Sequence, residues 1–179
     1  MPDGLREPLA EADVQSYRVL FLERDGLGFN RPEIYAENAL ACISTHDLPT
    51  FAGWWEGADL KERAALGIIP AETIDDSLAV REEEKAALVD ALVAEKLIAD
   101  PDGAVLTAEE VMPAAHAYVA SSPSALVVAQ TDDLAAERIA VNLPGTSIER
   151  PNWRRKIETP VEALLKTDGA QAILGTLRA

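Results

Sequence analysis

The chain has 179 residues, 48% of them hydrophobic, and its 31 acidic against 16 basic residues give a formal net charge of −15. That charge argues against a nucleic-acid or anionic-membrane partner, because such binding is dominated by attraction of Lys and Arg to phosphate; its default role is a soluble, self-repelling surface. A lone Cys42 excludes an intrachain disulfide, and no apolar run approaches the roughly 20 residues of a membrane span. With charged residues interrupting the first 13 positions, the chain reads as cytoplasmic.

Residues 5–12 have a short helical pattern. Tyr17-Arg18-Val19-Leu20-Phe21-Leu22-Glu23 is β-prone and largely apolar, and Gly26, Gly28, Asn30 and Pro32 beyond it predict an irregular loop. A second apolar run, Ala39-Leu40-Ala41-Cys42-Ile43, predicts a short buried strand with Cys42 as a packed thiol. It ends in Ser44-Thr45-His46-Asp47-Leu48-Pro49-Thr50, where Pro49 stops the strand and His46 and Asp47 project from its carboxyl end. That is where (β/α)8 barrels carry their active sites, although a His-Asp pair so placed can also be a loop cap or a satisfied polar pair.

Phe51, Trp54 and Trp55 lead into a short helix over 59–66, stopped at Gly67; paired large aromatics beside a strand usually bury area. Residues 76–98 carry Val80, Leu88, Val89, Leu92, Val93 and Leu97 opposite a solvated face at 82–85, an amphipathic helix ended by the turn chemistry of Asp100-Pro101-Asp102-Gly103. Thr107 and Glu110 have capping-box spacing for another helix, which Pro113 in its second turn should bend or delay. His116 in that helix has no second His, Cys or carboxylate at zinc-ligand spacing and reads as a partly buried structural histidine. Ser121-Ser122-Pro123 breaks the helix, and Ala125-Leu126-Val127-Val128-Ala129 predicts a fully buried strand of a parallel sheet.

Asp132-Asp133-Leu134 opens a short turn, and Asn142-Leu143-Pro144-Gly145-Thr146 makes a rigid loop. Residues 153–166 read as a closing helix despite Pro160, and 170–177 as a last short helix. Asn142 offers amide donors and an acceptor, so it is either a turn residue or a ligand for a hydroxyl-rich molecule. Arg154 and Arg155 are expected to brace the loop and helix through acidic partners, with a substrate contact as the weaker alternative. The α/β pattern forms one unit over 1–179, and the helical interval 60–120 exceeds a minimal crossover, which predicts a helical subdomain.

Thr45-His46-Asp47-Leu48-Pro49-Thr50, Gly53-Trp54-Trp55, Val141-Asn142-Leu143-Pro144-Gly145-Thr146 and Pro151-Asn152-Trp153-Arg154-Arg155-Lys156, in this order, resemble the amylomaltases, the 4-α-glucanotransferases of glycoside hydrolase family 77. The resemblance covers nearly the whole chain. It implies that 17–23, 39–44 and 124–130 are strands six, seven and eight of a (β/α)8 TIM barrel, with a helical insertion. It also implies a carboxyl-terminal fragment, since Met1-Pro2-Asp3-Gly4-Leu5 is similar to the family's segment immediately downstream of its Gly-Glu-Asp-Leu-Gly-Thr-Val motif. That motif's Glu is the general acid/base, and the nucleophilic Asp lies further upstream. Independently, a complete barrel takes about 250 residues, and only three parallel strands are legible here.

The chemistry implied by the resemblance is transfer of α-1,4-glucan segments between maltooligosaccharides or starch- and glycogen-derived glucans. It proceeds by a retaining double displacement between two carboxyl groups about 5 Å apart. By the match, Asp47 is a third, transition-state-stabilising carboxylate, and His46 and Asn142 contact sugar hydroxyls. Trp54 and Trp55 as sugar-stacking rings are the weaker alternative to packing. No metal or organic cofactor is implied. The partners are glucans together with the missing amino-terminal part or a second copy, and the chain alone is expected to be inactive. The competing reading is a non-catalytic, glucan-binding or self-associating truncated protein, since a three-stranded remnant exposes strand edges. An unrelated helical interaction domain would require the ordered motifs to be coincidence.

Overall fold

The structure, a computed structural model, describes residues 4–177; Met1, Pro2 and Asp3 of the amino-terminal segment that resembles the family lie outside them. The chain opens with α1 (Arg6–Glu11) and β1 (Ser16–Val19). β1 stops short of the expected Glu23 because the chain turns there, Leu22 N and Glu23 N both donating to Val19 O. The segment expected as an irregular loop instead holds a hairpin, β2 (Arg24–Asp25) paired with β3 (Gly28–Phe29). Its two-residue connection sets Gly26 at φ +61, a turn position that suits the twist of paired strands and that glycine adopts without steric cost. After a single 3-10 turn at Pro32–Ile34, β4 (Ala39–Cys42) runs parallel to β1, with Ser16 opposite Ala39 and Val19 opposite Cys42.

α2 (Phe51–Glu56) and α3 (Ala58–Ala65) come next, separated by Gly57 at φ +68. α2 precedes the helix expected from the sequence. Its aromatics are indifferent helix formers, and it is started by a cap, Thr50 Oγ1 accepting from Gly53 N at 3.1 Å. Beyond them lie α4 (Ile74–Ala94) and α5 (Ala108–Ala120). The predicted capping box is present, with Thr107 N donating to Glu110 Oε2 at 2.8 Å and Glu110 N to Thr107 Oγ1 at 3.3 Å. Pro113 does not delay α5, which starts at Ala108; the carbonyl it deprives of a donor is that of the exposed Glu109, open to water.

β5 (Leu126–Val128) pairs with the other side of β4, Leu40 opposite Leu126, completing a parallel sheet in the order β1, β4, β5. α6 (Thr131–Leu134), α7 (Val161–Leu164) and α8 (Asp168–Thr176) complete a helix-rich α/β fold. Two further expectations do not hold. β5 is not fully buried, because it is an outer strand: Leu126 is 50% and Val128 42% exposed. The closing helix over 153–166 shrinks to the four residues of α7, since Trp153 has φ +62 and Pro160 is extended at ψ 143, its ring and missing N–H blocking continuation.

The core joins Leu20, Ile43 and Phe51 near the sheet to Leu88 and Leu92 of α4 and to Val111 and Tyr118 of α5. Trp54 and Trp55 are buried in it, stacked on Phe21 and Phe51 at centroid distances of 4.9 and 5.9 Å, as the packing reading required. Trp55 Nε1 donates to Leu106 O, and the Arg81 guanidinium lies over Trp54 while gripping Asp59. No helix among the described residues is long and apolar enough to cross a membrane.

Candidate active site

Past the carboxyl end of β4 the chain is stitched into a tight loop. Buried Ser44 donates through Oγ to Pro49 O at 2.7 Å, and Leu48 N donates to Thr45 O. The far end of the loop is pinned by Asp133, whose Oδ1 accepts from Phe51 N at 2.9 Å. His46 and Asp47 are thereby turned outward, their side chains 57% and 51% exposed. Neither caps a helix; Thr50 does that for α2.

Asn142 meets them from 95 positions away, its Nδ2 donating to Asp47 Oδ1 at 2.6 Å, while His46 Nε2 lies 3.4 Å from the same oxygen. All three residues singled out from the sequence converge. The loop carrying Asn142 is rigid for visible reasons. Gly145 has φ +87, Asn152 Oδ1 accepts from Leu143 N, and Asn152 Nδ2 donates to Thr146 Oγ1. Arg150 locks this loop to α3 through Glu62 at 2.9 Å. Arg155 braces as expected, against Asp132 at 2.7 Å and Glu137, whereas Arg154 lines a groove of about 540 Å³ with Asn142, Pro151 and Trp153. Trp153, read from sequence as part of a helix, instead stands 60% exposed with its ring centroid 5.1 Å from that of His46.

Beneath the loop sits a buried pair that linear spacing does not reveal. His116 is fully buried, and its Nδ1 lies 2.9 Å from Met112 O. A carbonyl only accepts, so Nδ1 carries the proton and Nε2 is left bare when the ring is neutral. Nε2 faces Asp133 Oδ2 at 3.7 Å, and neither atom has a hydrogen-bond partner among the described residues. Ion pairing at that distance would push the acid down and the imidazole up. Burial acts oppositely and wins, because each charge gives up several kcal/mol of hydration. It takes His116 down to about 4 against the weaker pull of the Met112 carbonyl. It takes Asp133 up to about 7, against the Phe51 N–H and with help from Asp132. The nearby Cys42 thiol is pushed up to about 11, by burial and then by Asp133. Among the described residues no group of three or more His, Cys, Asp or Glu is placed to hold a metal ion.

A carboxylate, an imidazole and an amide gather beyond the carboxyl ends of parallel strands, the face on which α/β folds carry their ligand sites. Comparison with known proteins narrows the class. A family model described as 4-alpha-glucanotransferase matches residues 1–162, and the chain belongs to that family, glycoside hydrolase family 77. It is 31% identical over 172 residues to the 4-alpha-glucanotransferase of Haemophilus influenzae, covering 94% of this chain and 25% of that protein. With the 4-alpha-glucanotransferase of Mycobacterium tuberculosis the identity is 33% over 128 residues, covering 72% and 17%. The crystal structure of amylomaltase from Corynebacterium glutamicum superposes with a TM-score of 0.89 at 25% identity, over 99% of this chain and 27% of that one. An amylomaltase from Streptococcus agalactiae in complex with acarbose shares the fold at a TM-score of 0.55 and 19% identity, over 98% and 29%. The chain thus spans between 17% and 29% of the length of these relatives.

Proposed function

We propose that the chain forms strands six to eight of a (β/α)8 glucanotransferase barrel, with the helices of about 60–120 as an insertion. It contributes the transition-state carboxylate Asp47 and the sugar ligands His46 and Asn142 to a cytoplasmic 4-α-glucanotransferase. One observation carries the reading: Asn142 and His46 both reach Asp47 Oδ1, at 2.6 and 3.4 Å, from segments 95 residues apart. With two neighbours on Oδ1, the half-exposed Asp47 makes no hydrogen bond through its other oxygen among the described residues, which suits a carboxylate that tightens on ring hydroxyls as a sugar flattens toward an oxocarbenium ion.

On this reading the nucleophile and acid/base of the double displacement are supplied by the part of the family fold that this chain does not span. The acidic side chains sharing the cleft with Asp47 are Asp59 and Glu62, and both are committed to ion pairs, with Arg81 and Arg150. The outer strands support completion by flanking strands. Tyr17 and Leu126 are 64% and 50% exposed, and a groove of about 550 Å³ runs along β1. The same surfaces would pair two copies of a non-catalytic protein, and gel filtration separates the cases. The functional test is disproportionation of maltotriose. The chain alone gives no glucose or longer maltodextrins; mixed with an amino-terminal piece bearing the two other carboxylates it does, and Asp47→Asn lowers that rate by about 100-fold or more. Transfer by the isolated chain, or complemented transfer indifferent to Asp47→Asn, overturns the reading.

A further inference from the structure

Trp153 is the one tryptophan of three that is exposed, at 60%, while Trp54 and Trp55 are buried. Its position is costly on two counts, an apolar face left in water and a left-handed backbone at φ +62 that side chains avoid. The backbone there is firmly held. Trp153 N donates to Val141 O at 3.0 Å, and the preceding Asn152 is bonded through its side chain to Leu143 and Thr146. Strain retained by so many bonds points to a residue whose direction matters. The direction it secures sets the indole beside His46, ring planes 52° apart, as one wall of the groove that Asn142 and Arg154 also line.

The chemistry of that corner is amphipathic. A pyranose ring presents C–H groups on its faces and hydroxyls around its edge. An indole face matches the first, and an imidazole, an amide and a guanidinium match the second. The groove, about 540 Å³, is of the size that small-ligand sites occupy. We propose that Trp153 is a stacking platform for one glucose ring of a bound α-glucan, adjacent to the ring that His46 and Asp47 hold; the proposal rests on the glucan reading of the site.

Iodide in water reaches Trp153 and not the two buried tryptophans, so collisional quenching isolates it. Millimolar maltoheptaose added to the chain is expected to shield that exposed emission. Trp153→Gly removes the ring while relieving the left-handed backbone, so it should leave the melting temperature unchanged or higher. In that variant maltoheptaose affinity, read from NMR shifts of the Asn142 side-chain amide, should fall by about tenfold. If the Asn142 amide responds to maltoheptaose but Trp153 is not shielded, or Trp153→Gly binds as well as the parent, the platform is overturned and the glucan reading stands. If neither residue responds, both are overturned.

Discussion

Asp133→Asn should stabilise this protein at about pH 6.5 and lose that gain by about pH 4. Burial lifts the Asp133 carboxyl from 3.8 to about 7, so the folded chain keeps a proton that the unfolded chain has released. The stability this group contributes is complete below about pH 4 and is lost as pH rises toward 7. Holding the proton up to about pH 6.5 costs about 3 to 4 kcal/mol, at about 1.36 kcal/mol per pH unit. Asparagine has the same shape, keeps a carbonyl for Phe51 N and presents an N–H to His116 Nε2 at every pH, so this cost disappears. His116 works in the opposite sense. Its folded value is lowered from 6.5 to about 4, so its contribution is present above 6.5 and about 3 kcal/mol is lost as pH falls to about 4. In the parent the two slopes nearly cancel; in the variant the histidine's slope alone remains. The other groups bearing on the pair are Cys42, neutral throughout this range, and Asp132, whose charge adds to the rise of Asp133. Urea unfolding across this pH range measures the difference. A loss of about 3 kcal/mol at about pH 6.5, as when a buried ion pair is broken, would refute the neutral pair.

Gly53→Ala should cost about 2 to 3 kcal/mol in urea unfolding, because a Cβ there would overlap Arg138 O and come within 2.9 Å of the Thr50 hydroxyl; an unchanged midpoint would mean that the 138 segment yields freely. The Cys42 thiol, buried and raised to about 11, should stay unlabelled by a disulfide reagent at about pH 8 until denaturant is added, and rapid stoichiometric labelling of the folded chain would contradict its burial.

Local chemistry is the part of this fold that is legible in the sequence. Thr107 and Glu110 cap α5 as their spacing implies, and the apolar run from Ala39 to Ile43 supplies β4, which stops at Cys42. Pro144-Gly145 marks a loop by its local turn chemistry, and His46, Asp47 and Asn142 stand out because the family motif names them. Features decided by distant contacts are not legible in this way. α2 depends on a threonine cap and on burial of its tryptophans, neither of which shows as periodicity. The hairpin at 24–29 is too short for an alternating pattern to register, although Gly26 at the first position of the two-residue loop is its one available signal. The exposure of β5 comes from its outer place in the sheet, and the apolar string from Leu126 to Val128 says only that something should cover it. His116 and Asp133 lie 17 positions apart on separate helices, so no spacing rule joins them. The residues around Trp153 suit a helix that Pro160 and the left-handed backbone of Trp153 itself forbid.

The parallel sheet also dictates an order of events in time. β1 meets β4 across 23 positions, Ser16 to Ala39, but β4 meets β5 across 86, Leu40 to Leu126. Closing the longer span carries the larger entropic cost, so α4 and α5 have to fold back before the second ladder can zip. The Asp47 to Asn142 contact bridges 95 positions and comes later still. At a synthesis rate of about 5 to 20 residues per second, a nascent chain carries Asp47 without its amide partner for about 5 to 20 seconds.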